Sequence, residues 1–142
     1  SVGFSRRELG EALRFYLVPA SILAAVAILQ FHGIYQPYAF VGIAESSRFA
    51  IGSLAGNVGD LAAALVLPAI LAQAELARGK RVALAAVALA LCLYGLMVTQ
   101  TFSAIAGVAV GSIVFWGFEA SRRRVTFALA ALQSRTVRQK YA

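Results

Sequence analysis

One arginine, Arg48, stands apart from every basic cluster in the chain, in an aromatic, glycine-punctuated stretch that also holds the only histidine, His32. Its planar guanidinium offers paired donors to a phosphate or a carboxylate. The plainer role is contact with a lipid headgroup, or a pair with Glu45 or Asp60, and on the residues alone that role is the commoner one. His32 has the chemistry of a general base near neutral pH, yet a solitary interfacial histidine is more often structural. Asp60 reads first as an acidic group at the positive end of a helix and only second as a catalytic carboxylate. Thr99, Gln100, Thr101 and Ser103 form a short polar patch whose hydroxyls and amide can line a polar entrance. The sequence contains no P-loop, metal-ligand cluster, dinucleotide fingerprint or Ser/His/Asp set. It therefore assigns no metal, no cofactor and no catalytic residue.

The elements that must position these groups belong to a membrane. Of 142 residues, 61% are hydrophobic and only 13% charged, and the mean hydropathy is +0.78. A soluble domain of this size needs more polar cover. The expectation is an all-α, polytopic membrane protein with about four transmembrane helices in a single domain, residues 1–142, with spans near 13–30, 58–76, 82–98 and 104–118. Pro19 and Pro68 fall inside spans, where membrane helices tolerate them. Residues 31–57, with Tyr35, Tyr38, Phe40 and Phe49, read as a loop on the membrane surface. Asn57 is a helix N-cap candidate with Asp60 in the first turn. The link at 77–81 is so short that its two helices must be antiparallel neighbours. Gly107 and Gly111, like the many alanines, suit close helix approach. Cys92 is single, lies in an apolar run, and suits packing.

Net charge is +7, from 13 Lys and Arg against 6 Asp and Glu. The basic residues flank apolar spans instead of forming an exposed stripe, which argues for membrane topology and against nucleic acid. Arg6, Arg7 and Arg14, then Arg78, Lys80 and Arg81, then Arg122, Arg123 and Arg124 fall on one side, expected to be cytoplasmic along with both termini. The 31–57 loop and Arg48 fall on the other side. Glu75 and Glu119, near the basic ends of their spans, are expected to pair with the adjacent cations. The tail at 125–142 has an apolar stretch too short to cross and reads as an interfacial helix or as the beginning of a further segment.

The stretch RFAIGSLAGNVGDLAAALVLPAILA, residues 48–72, resembles the Arg…Gly…Gly-Asn-Pro-Asn…Ala pattern of the O-antigen ligase and O-antigen polymerase (Wzy-like) superfamily of bacterial inner membranes. Arg48, Gly52, Gly56 and Asn57 match, and the following helix is apolar with Pro68 inside. TQTFSAIAGVAVG, residues 99–111, resembles the family's Thr-x-Ser-Arg-Gly-Ala segment through Ser103. Val58 and Gly59 stand where the family has Pro-Asn, with Asp60 one place later, and Ala104 and Ile105 stand where it has Arg-Gly. The second departure removes a basic residue near the donor phosphates and shifts its duty elsewhere. The likeness covers about residues 12–117, the middle portion of a typical member, so the chain reads as a fragment or a reduced relative.

The resemblance implies a periplasmic glycosyl transfer from an undecaprenyl-diphosphate-linked glycan, without a metal. Arg48 would contact the donor diphosphate, and Gly52, Gly56, Asn57, Asp60 and Ser103 would serve the motif structurally. Implied partners are membrane lipids, the lipid-linked glycan and the rest of a larger polytopic chain. The competing expectation is a small non-catalytic four-helix membrane protein, a transporter subunit or assembly partner. Proton-coupled exporters need an acid well inside a span, and none of the six acids lies centrally in one.

Overall fold

The structure is a computed structural model that describes residues 6–35, 51, 53–79 and 81–140. Among these it is all α: α1 (Arg6–Phe31), α2 (Val58–Ala77), α3 (Val82–Thr99) and α4 (Phe102–Lys140), with a short 3-10 turn (Ser53–Ala55) ahead of α2. Three of the helices hold segments long and apolar enough to cross a membrane, Val58–Ala77, Val82–Thr99 and Phe102–Thr126, and α1 adds a shorter apolar stretch, Phe15–Phe31. The chain is an all-α polytopic membrane protein.

Successive helices alternate in direction, so α1 runs parallel to α3 and α2 parallel to α4. The first three pack on one another, whereas α4 lies against α2 and barely touches α3. Lipid tails are as apolar as leucine, so burying apolar side chains does not drive helices together in a bilayer; close packing and interhelical hydrogen bonds do. The buried faces fit that constraint. Leu17, Ala20, Ala24 and Ala27 recur on α1, and Ala85, Ala88, Cys92, Gly95 and Thr99 recur on α3 at alternating spacings of three and four, the repeat that keeps one seam facing a neighbour in a left-handed bundle. Cys92 is buried and unpaired, as its apolar setting suggested.

The tightest point is Gly95. A methyl group placed there would stand 3.0 Å from Leu65 Cδ1, 3.1 Å from Ala24 Cβ and 3.3 Å from Ala24 Cα, so three helices converge on the missing side chain. Of the Gly107 and Gly111 pair, only Gly111 lies at a contact, with Ile70 of α2 3.0 Å from where its Cβ would be; Gly107 faces open space.

Polar side chains tie α4 to α2. Gln73, only 6% exposed, donates from Nε2 to Ser112 Oγ at 2.7 Å and accepts at Oε1 from Trp116 Nε1 at 2.8 Å. Farther along, Arg123 reaches the carbonyl of Ala77 at the end of α2, 3.3 Å away.

Two helices exceed their expected spans. α1 begins at Arg6, ahead of residue 13, and α4 runs for 39 residues straight through Arg122–Arg124. At 1.5 Å per residue α4 is about 58 Å long, against roughly 30 Å of bilayer hydrocarbon. Arginines end an apolar pattern but are good helix formers, and no glycine or proline follows Gly117 to break the backbone. The tail expected as a separate element is thus a continuation of α4. α2 also persists through Pro68, which is buried among its neighbours.

Gly95→Leu should lower stability in detergent by about 1–3 kcal/mol through overpacking, while Gly107→Leu should leave it nearly unchanged; equal melting of the two variants would contradict the three-helix convergence. Gln73→Leu should lower stability by roughly 1 kcal/mol. It should also shift the emission maximum of Trp116, the sole tryptophan. An unchanged spectrum would mean that the indole does not bond across the helices.

Candidate functional site

The bundle has two chemically different ends. At one, α1 finishes and α2 and α4 begin, which brings together His32, the Gly56–Asn57 turn and the 99–103 link. At the other stand Arg78, Arg81 and Arg122–Arg124.

Gly56 opens the first end with a φ of +75°, a left-handed conformation in which a side chain is strained even though the space around it is empty. Asn57 follows in extended conformation, and its Oδ1 accepts the N–H of Gly59 at 2.8 Å. Its carbonyl accepts from Leu61 at 3.0 Å. Asn57 is therefore the N-cap that its position suggested, and Asp60 lies exposed in the first turn, where helix N–H groups favour a negative charge. This capping needs neither proline nor asparagine after Asn57, so Val58 and Gly59 serve it as they stand. Ile51, just before the 3-10 turn, is buried in the core, so the chain is anchored in the bundle three residues after position 48. Arg48 and Gly52 lie outside the described residues.

The 99–103 link is less open than its composition suggests. Thr99 is fully buried and its hydroxyl donates to the carbonyl of Leu96 at 2.7 Å, so it lines no entrance. Thr101 Oγ1 donates to the carbonyl of Thr99 at 3.3 Å, and its own carbonyl accepts from Ala104 and Ile105, which starts α4. Gln100, in left-handed conformation, and Ser103, in the first turn of α4, are exposed. These two remain as groups that can meet a ligand.

His32 has a partner that sequence reasoning did not find. Its Nε2 lies 2.8 Å from the hydroxyl of Tyr94 on α3, and Phe31 packs edge-on against its ring with centroids 5.2 Å apart. The pair fastens the end of α1 to α3, which is the structural role. The only signal for Tyr94 was that it is the lone tyrosine in an otherwise aliphatic span. Gln73 was overlooked too, although it is the one amide in α2.

At the basic end Glu75 and Glu119 are both paired as expected. Arg78 Nη1 meets Glu75 at 2.8 Å, and Arg122 and Arg123 both meet Glu119 at 3.0 Å. Among the described residues no group of three or more His, Cys, Asp or Glu side chains is placed to hold a metal ion.

No protein family, no curated protein and no solved structure matches this chain.

Asn57→Ala should lower stability by about 1 kcal/mol, and Asn57→Asp should restore it, as followed by thermal unfolding in detergent. Equal stability of the alanine variant and the parent would remove the capping role.

Proposed function

We propose that this chain is the membrane portion of an enzyme like the O-antigen ligases and polymerases, which transfers a lipid-diphosphate-linked glycan at the periplasmic face of a bacterial inner membrane. The observation that carries the reading is the parallel course of α2 and α4. Because both helices begin at the same end, the Gly56–Asn57 turn and the exposed Ser103, far apart in the chain, share one face of the bundle. The family resemblance involves both segments, and a common donor site requires them on one side of the membrane.

Charge distribution sets the direction. Basic residues accumulate on cytoplasmic flanks, so the end with Arg78, Arg81 and Arg122–Arg124 faces the cytoplasm and the Asn57 end faces the periplasm. There Arg48 neutralises the diphosphate as it departs, where charge develops in the transition state. A base that takes the acceptor hydroxyl's proton completes the reaction. His32 is left to its structural role, with its Nε2 held at the Tyr94 hydroxyl.

In the full-length protein Arg48→Ala should reduce glycan transfer by roughly 100-fold or more with membrane insertion and helix content intact. Transfer at the parent rate would refute the proposal and favour a non-catalytic assembly role. An Arg48→Cys variant should label with an impermeant maleimide from the periplasmic side, and Cys92, the only cysteine in these 142 residues, is buried and adds little background. Labelling only from the cytoplasm would reverse the orientation and remove Arg48 from the donor.

A further inference from the structure

We propose that α4 is a movable helix: it undocks from α2 as a body while α1, α2 and α3 stay together, with Gln73 as the latch and the Gln100–Thr101 link as the hinge. The device is independent of glycan transfer.

A helix in lipid keeps its own backbone hydrogen bonds whether or not it has neighbours, so leaving the bundle costs it only the contacts between helices. For α4 these are sparse. In its most apolar stretch 17% of the residues are buried, against 44% in α2 and 39% in α3. Ala104 and Val108, close to the link, reach the core, whereas Ile113, Val114 and Phe118 farther along are largely exposed. Among the described residues no ion pair crosses from α4 to another helix, because Glu119 takes Arg122 and Arg123 of its own helix and Glu75 takes Arg78 at the end of α2. Motion of α4 as a body breaks none of them.

What holds the middle of α4 is specific. Gly111 stands against Ile70, and Gln73 gives both ends of its amide to α4, at Ser112 and Trp116. These groups lie inside the apolar spans, where no water replaces a lost partner. Partial separation stretches both bonds and offers nothing in return, whereas full separation lets the freed groups find partners elsewhere, as separated membrane helices do. Intermediate positions are therefore the costly ones, and α4 has two. At the other end α3 stops on Gln100, exposed and at a φ of +51°, and only Thr101 stands between it and α4. Hinges absorb their rotation in a few element-terminal residues, and a residue already held in a sparsely populated conformation loses little by leaving it. The swing widens a cleft of about 230 Å³ that already separates Leu93 and Met97 of α3 from Ile105 and Ala109 of α4.

The test is spin-label distance measurement on cysteine pairs in the intact protein in nanodiscs. Leu84→Cys with Phe118→Cys reports α3 against α4 far from the link, and Phe15→Cys with Met97→Cys reports α1 against α3; all four sites are exposed. Two releases are applied separately. Gln73→Leu together with Arg123→Gln removes the side-chain bonds to α2, and Gly111→Leu drives a wedge against Ile70. The first should raise the undocked share about tenfold, the scale of two or three interhelical hydrogen bonds in a membrane. Both should populate the same longer α3–α4 distance, with the α1–α3 distance unchanged. An α3–α4 distance that stays single and unmoved in both variants, or an α1–α3 distance that broadens alongside it, would overturn the independent motion. A shift with Gly111→Leu alone would remove Gln73 as the latch, and two unlike longer distances would remove the common hinge.

Discussion

Close helix approach without a hydrophobic reward is the constraint on which this structure depends. In water α1, α2 and α3 would be held by removal of apolar surface; in lipid they hold only as far as their backbones can approach. The absent side chain of Gly95, met by Ala24 and Leu65, and the small residues in register above and below it on α3 supply that approach. Everything placed at the two ends of the bundle inherits its position from this seam, including the turn at Asn57 and the exposed groups that follow α3.

α4 is held differently. It touches α2 more than any other helix, most of its membrane segment is exposed, and its contacts include a series of polar ones: Ser112 and Trp116 on Gln73, then Arg123 on the carbonyl of Ala77. A hydrogen bond fixes register where featureless apolar packing does not, because a shift by one residue would leave a buried amide unsatisfied. The parallel register of α4 on α2 keeps the starts of both helices at one end.

Much of this was legible in the residues. The bounds of α2 and α3 could be read nearly to the residue, because Asn57, the charged turn around Gly79 and the polar link after Val98 interrupt the apolar pattern sharply. The outer ends of α1 and α4 could not, since hydropathy marks where lipid stops and says nothing of where backbone hydrogen bonding stops. The place of Gly95 was equally invisible: α3 is apolar on every side, so no periodicity tells whether its one glycine faces a neighbour. The pairing of His32 with Tyr94 spans 62 positions in the chain, and only the parallel packing of α1 and α3 brings them together. Thr99 misled for a related reason, because a hydroxyl near a helix end can bond to its own backbone as readily as to a ligand.

The two ends also divide the chemistry. At the basic end three arginines share two glutamates, and such pairs, each between neighbouring turns of one helix and partly open to solvent, add little stability. At the Asn57 end the described polar groups are mostly engaged in ending or starting helices: Asn57 caps α2, Thr99 and Thr101 bond to nearby backbone, and His32 holds Tyr94. What stays available there is Asp60, Gln100 and Ser103, one carboxylate, one amide and one hydroxyl. None of these can neutralise a diphosphate. A binding role at this end therefore requires a cation from outside the described helices, and the buried Ile51 ties the segment that carries Arg48 back into the bundle.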